Sequence, residues 1–101
     1  MCLHRLLGAV PTAGGAAQVY LPETAKFDWT ADGSQVVFHT TAPGEPLYVR
    51  SATEASAHPI YVAAPGTHCH FLTWSPDGEF IYFVRGGPPS SDWDIWRLPA
   101  I

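Results

Sequence analysis

His68-Cys69-His70 is the segment of this 101-residue chain where residue type and spacing come closest to chemistry. Two imidazoles two positions apart on an extended strand project to one face, and the cysteine between them projects to the other. His68 and His70 are therefore a candidate ligand pair that Cys69 cannot join. Catalytic zinc takes three protein ligands and structural zinc four. The residues of suitable type to add are His39, His58 and Asp28. Histidines that cap a strand or pack beside Trp74 give the same pattern, so no metal is assigned. His68 and His70 stand as candidate ligand contacts, together with Trp93, which lies beside a proline-glycine segment.

The remaining reactive residue types lead elsewhere. Ser75-Pro76-Asp77-Gly78 holds a serine and an aspartate near histidines, but it lacks the Gly-x-Ser-x-Gly elbow of a strand-to-helix nucleophile. Proline and glycine at those spacings are turn chemistry. Asp92 and Asp94 flank Trp93 and would share a strand face, which is more simply a solvated edge than an acid pair with convergent partners. Gly14-Gly15 and Gly86-Gly87 lack the strand-to-helix context of a phosphate loop. Cys2 and Cys69 lie far apart and match no paired spacing for zinc, iron-sulfur or redox work. A disulfide framework is not expected, and a single bridge stays open. The chain is expected to be non-enzymatic, with no catalytic residue and no cofactor.

The elements that must position the histidines are strands. Ten prolines and nine glycines punctuate the chain, and no stretch sustains a 3.6-residue apolar period. The pattern predicts an all-β chain with strands at 5–10, 16–21, 25–30, 35–40, 46–51, 58–63, 68–74, 79–85 and 93–98. Pro, Gly, Ser and Thr-rich connections, such as Thr41–Glu45 and Gly86–Ser91, read as surface loops.

Within these strands one pattern occurs twice. Phe27-Asp28-Trp29-Thr30-Ala31-Asp32-Gly33-Ser34-Gln35-Val36-Val37-Phe38 returns 45 residues later as Leu72-Thr73-Trp74-Ser75-Pro76-Asp77-Gly78-Glu79-Phe80-Ile81-Tyr82-Phe83. Aspartate tolerates a left-handed backbone and glycine adopts one freely, so each Asp-Gly should close a hairpin, with Pro76 presetting φ at the second. Trp29, Asp32, Gly33 and Phe38, with Trp74, Pro76, Asp77, Gly78 and Phe83, are read as structural repeat positions. Trp29 and Trp74 share strand faces with Phe27 and Leu72 and are expected to pack between repeats.

Composition narrows the function classes. A hydrophobic content of 47% with 13% aromatics supports a packed core. Apolar runs stay far below the roughly 18–20 residues of a membrane-spanning helix. The run after Arg5 reads as a strand and not a signal peptide. The net charge is −4, and the basic residues Arg5, Lys26, Arg50, Arg85 and Arg97 are scattered singly. Nucleic acid and membrane surfaces need clustered cations, so both are disfavoured as partners. Compartment is left open.

A repeat of about 40–45 residues built from short strands is the period of a propeller blade. Trp74-Ser75-Pro76-Asp77-Gly78, then Phe80-Ile81-Tyr82-Phe83, then Asp94-Ile95-Trp96-Arg97, resembles the TolB-like, WD-repeat-like β-propeller blade of bacterial proteins. The first copy departs from that pattern, with Thr30-Ala31 for Ser-Pro and Leu47-Tyr48-Val49 for Asp-Ile-Trp. The resemblance implies antiparallel four-stranded blades: residues 1–21 end one blade, 25–63 form a complete blade, and 68–101 form most of another. It also implies that residues near the entrance of the innermost strand, His68 and His70 among them, line a channel. A little over two blades is an incomplete propeller, because blades stabilise one another by stacking. Either a longer chain supplies the others, which strand counting favours, or copies assemble head to tail.

The expected function is then a non-catalytic module that presents loops to a protein or small ligand, as a segment of a bacterial sensor or scaffold protein. Two alternatives stand beside it: the propeller segment of a prolyl-oligopeptidase-like serine peptidase, and a small self-assembling lectin-like propeller. All three rest on family resemblance for their specifics.

Overall fold

The computed structural model describes residues 6–22, 24–54, 56–87 and 90–100. Cys2, Arg5 and the Pro88-Pro89 dipeptide fall outside the described residues. Those described form no helix, and hence none long and apolar enough to cross a membrane. They form nine strands: β1 (Leu6–Ala9), β2 (Gln18–Pro22), β3 (Thr24–Trp29), β4 (Gln35–Thr40), β5 (Leu47–Ser51), β6 (His58–Tyr61), β7 (His68–Trp74), β8 (Phe80–Gly87) and β9 (Ser90–Pro99).

Every pairing is antiparallel and between sequence neighbours, giving sheets β1-β2, β3-β4-β5-β6 and β7-β8-β9. All nine strands fall where the sequence places them. The largest difference is β9, which begins at Ser90 inside the expected Gly86–Ser91 loop. Its partner β8 runs on to Gly87, which pairs with Ser90. Gly87 has φ 142°, and a Cβ there would meet the Gly66 carbonyl at 2.6 Å, so only glycine continues the strand past that backbone.

Within the four-stranded sheet, β4 is buried on both faces. Opposite residues in an antiparallel ladder share a face, and the register Val37↔Val49 and Phe38↔Tyr48 sorts β4 and β5 into two sets. Val37, Leu47 and Val49 meet Cys69, Leu72, Trp74, Ile81 and Phe83 of the three-stranded sheet, with Ala63 between. Val36 and Phe38 meet Tyr48, Ala57 and, from the two-stranded sheet, Tyr20. This double burial explains why Val36-Val37-Phe38 reads as a continuous apolar run without alternation. Each fully buried Leu, Ile, Val or Phe contributes about 1.5–3 kcal/mol. The three-stranded sheet is covered on one side only: Phe71, Trp93 and Ile95 are exposed, Ile95 at 79%.

The two repeat copies fold into hairpins with one hydrogen-bond pattern. Gly33 N–H donates to the Thr30 carbonyl and Gly78 N–H to that of Ser75, both at 2.9 Å. The Thr30 hydroxyl donates to Asp32 Oδ1 at 2.8 Å and that of Ser75 to Asp77 Oδ1 at 2.5 Å. The same carboxylate oxygens accept the N–H of Ser34 (2.9 Å) and Glu79 (3.0 Å). The hydroxyls in turn accept the N–H of Gln35 (3.1 Å) and Phe80 (3.0 Å). Thr30 is therefore the equivalent of Ser75, although by residue identity it departs from the repeat. The glycines carry the positive backbone angle, φ 73° and 75°; the aspartates do not, and serve through their side chains instead.

A tie between sheets joins the copies. Asp28 Oδ2 accepts the Trp74 N–H at 3.0 Å and the Thr73 hydroxyl at 3.2 Å, and the Asp28 carbonyl accepts Trp74 Nε1–H at 2.9 Å. Trp74 is buried at 7% exposure. Its repeat equivalent Trp29 is 36% exposed beside Tyr20, and Phe27 is exposed too. Packing of Trp29 between repeats is thus only partial, because the face of β3 that carries Phe27 and Trp29 meets no sheet comparable to the one that covers Trp74.

Candidate functional site

The end of the sheets away from the Asp-Gly turns gathers four charged or titratable side chains. β7 begins with His68 and His70 on one face, while Cys69 between them points into the core and is fully buried. β4 delivers His39 near its C-terminal end. The β4–β5 connection delivers Glu45, whose carboxylate organises the group. His68 Nδ1 lies 2.6 Å from Glu45 Oε1, His70 Nε2 lies 3.0 Å from Oε2, and the Cys69 backbone N–H donates to Oε2 at 3.0 Å. His39 Nδ1 is 3.7 Å from Oε2 and 3.0 Å from the carbonyl oxygen of Thr40.

Backbone geometry turns these side chains together. Gly44 has φ 82° and approaches Ala63 so closely that a Cβ would sit 2.2 Å from its carbonyl oxygen. Glu45 follows with φ 43°, a left-handed conformation uncommon outside glycine. In β7, pairing with β8 slips between His70 and Thr73, and Phe71 has φ 56°. Bulges of this kind re-aim neighbouring side chains. The ring of Phe71 is left in solvent.

The electrostatics follow from burial. Desolvation pushes the Glu45 carboxyl up, but the hydrogen bonds from His68, the Cys69 N–H and His70 outweigh it and hold the group below the usual glutamate value. Burial depresses His39 and favours its neutral ring; its side chain is 4% exposed, and Nε2 has no hydrogen-bond partner among the described residues. Burial also pushes the Cys69 thiol up to about 11, which keeps it protonated. The aromatic wall is Trp93, whose ring centre lies 6.1 Å from that of His68 and 5.7 Å from that of His70. His39 stacks on His70 at 5.7 Å. Ala25, Lys26, His39, Thr41, Glu45, His68 and His70 line a pocket of about 220 Å³.

His68, His70 and Trp93 therefore lie together. Of the residues considered as additions, His39 reaches the cluster, His58 pairs instead with Glu54 at 3.2 Å, and Asp28 is engaged with Thr73 and Trp74. Ser75 and Asp77 are hydrogen-bonded to each other within their turn, and the Ser75 hydroxyl also accepts the Phe80 N–H. Asp94 is exposed opposite Arg85, and the Asp92 side chain lies outside the described residues. Glu45 is the residue that sequence reasoning missed. Its only local signal was the preceding Pro43-Gly44 turn. No family model, curated protein or solved structure matches the chain.

Proposed function

We propose that the chain is a run of TolB-like β-propeller blades that acts as a non-catalytic binding module, with its ligand pocket at the strand ends marked by His68, His70 and Trp93. The observation that carries the reading is the pocket itself: a concave site whose walls come from β3, β4, the β4–β5 loop and β7, elements rigid enough to hold a fixed constellation, with the imidazoles and the Glu45 carboxylate as its polar groups. Three supports accompany it. The sheets stack face to face in chain order, as blades do. The 45-residue repeat returns as the same turn. Ile95, exposed on the outer face of β7-β8-β9, is where a following blade would pack.

Solution mass by light scattering, with 11.0 kDa per chain, tests this reading. The chain by itself should associate through the uncovered face, and Ile95→Glu should reduce that association. A cooperatively folded monomer whose behaviour Ile95→Glu leaves unchanged overturns the propeller reading, because no further blade is then needed.

A further inference from the structure

We propose that Glu45, His68 and His70 form a three-ligand site for a divalent late transition metal, of which Zn²⁺ is the type, with a fourth position open to the pocket. The assignment deepens the reading of that pocket as the binding site. It does not depend on ring closure, because all three ligands belong to one chain.

The donor set carries the argument. One ligand atom from each residue, an imidazole nitrogen from each histidine and a carboxylate oxygen from Glu45, lie within 4.8 Å of one another. Two histidines with one glutamate, plus an open position, is a recognised zinc ligand set, and imidazole donors select zinc and its neighbours over magnesium or calcium. Metal–ligand bonds of about 2.0–2.2 Å in a tetrahedron place the ligand atoms roughly 3.3 Å apart. Glu45 Oε1 already stands 2.6 Å from His68 Nδ1 and 3.3 Å from His70 Nε2, so those two edges need widening of less than about 1 Å, while the two histidine nitrogens, within 4.8 Å of each other, draw to the same spacing. Neutral imidazoles with the proton on His68 Nε2 and His70 Nδ1 present lone pairs to the ion from the nitrogens that now face the carboxylate.

The surroundings suit the assignment. The Cys69 N–H fixes one carboxylate oxygen, and the stacked His39 ring restrains His70, as outer-sphere groups do around metal ligands. Trp93 closes one side. Lys26 lines the pocket but is exposed, where water and salt screen its charge.

Titration of the full chain with Zn²⁺, followed by imidazole ¹⁵N resonances, decides the matter without a variant. One equivalent should shift His68 Nδ1 and His70 Nε2 and leave His58 unmoved. Glu45→Gln and His70→Ala should each weaken uptake by at least the roughly 10–100-fold that loss of an outer-sphere partner costs, with retained far-UV circular dichroism as the folding control. No uptake at micromolar Zn²⁺, shifts at His58 in place of His68 and His70, or undiminished affinity in folded His70→Ala overturns the site. The blade reading is decided separately, by solution mass in metal-free buffer.

Discussion

Asp28 holds Trp74 at two points: its carboxylate accepts the Trp74 backbone N–H at 3.0 Å, and its own carbonyl accepts the indole N–H at 2.9 Å. A residue on the edge strand β3 of one sheet thus fixes both the backbone and the side chain of a residue in the next. Removing the carboxylate leaves a partly buried N–H without its acceptor, which costs about 1–3 kcal/mol. Asp28→Ala is expected to lower stability by that amount in urea denaturation. Asp28→Asn, which keeps one acceptor oxygen, should lose less.

The turn carboxylates set an acid limb. Hydrogen bonds from the Ser34 hydroxyl and N–H and from the Thr30 hydroxyl lower Asp32 from 3.8 to about 2. Asp77 is lowered by the Ser75 hydroxyl and the Glu79 N–H. A folded pKa below the unfolded value means that the unfolded chain binds protons first. The stabilisation is therefore complete above the unfolded pKa and is lost as pH falls through the folded one. Urea midpoints should drop between pH 4 and about 2, and the double variant Asp32→Asn, Asp77→Asn should show a shallower drop over that window.

Two glycines with similar backbone angles should respond differently to alanine. Gly33, at φ 73°, has open space around the position of a Cβ, so Gly33→Ala carries only the left-handed penalty of about 1–2 kcal/mol. Gly44, at φ 82°, would add a collision with the Ala63 carbonyl. Gly44→Ala is expected to cost more than about 2 kcal/mol by denaturation, and to displace Glu45 from the histidines.

Cys69 is a structural thiol. With Cys2→Ser removing the other cysteine, the native chain should react slowly with a thiol reagent at pH 8, since the Cys69 thiol is buried and titrates near 11. The rate should rise sharply in denaturant. Rapid native labelling would contradict the buried placement.

Much of the scaffold was legible because it is local. Alternation, Asp-Gly turns and proline punctuation located every strand, and the two-residue spacing of His68 and His70 placed both on one face with Cys69 opposite. The site was only half legible. Glu45 lies 23 residues from His68, in a stretch that reads as loop. It enters the cluster only because Gly44 passes against Ala63 and Glu45 takes a positive φ. Neither event leaves a periodic trace. Trp29 shows the converse: its repeat position predicts the burial of Trp74, but burial depends on the neighbouring sheet and not on the residue itself.

The matching hydrogen bonds of the Thr30–Ser34 and Ser75–Glu79 turns make the two segments interchangeable parts. Their common grammar is short: a hydroxyl residue, any residue, aspartate, then glycine. Tryptophan and proline, which catch the eye in the second copy, are outside that grammar. A chimera in which the two five-residue segments trade places should fold as the parent does.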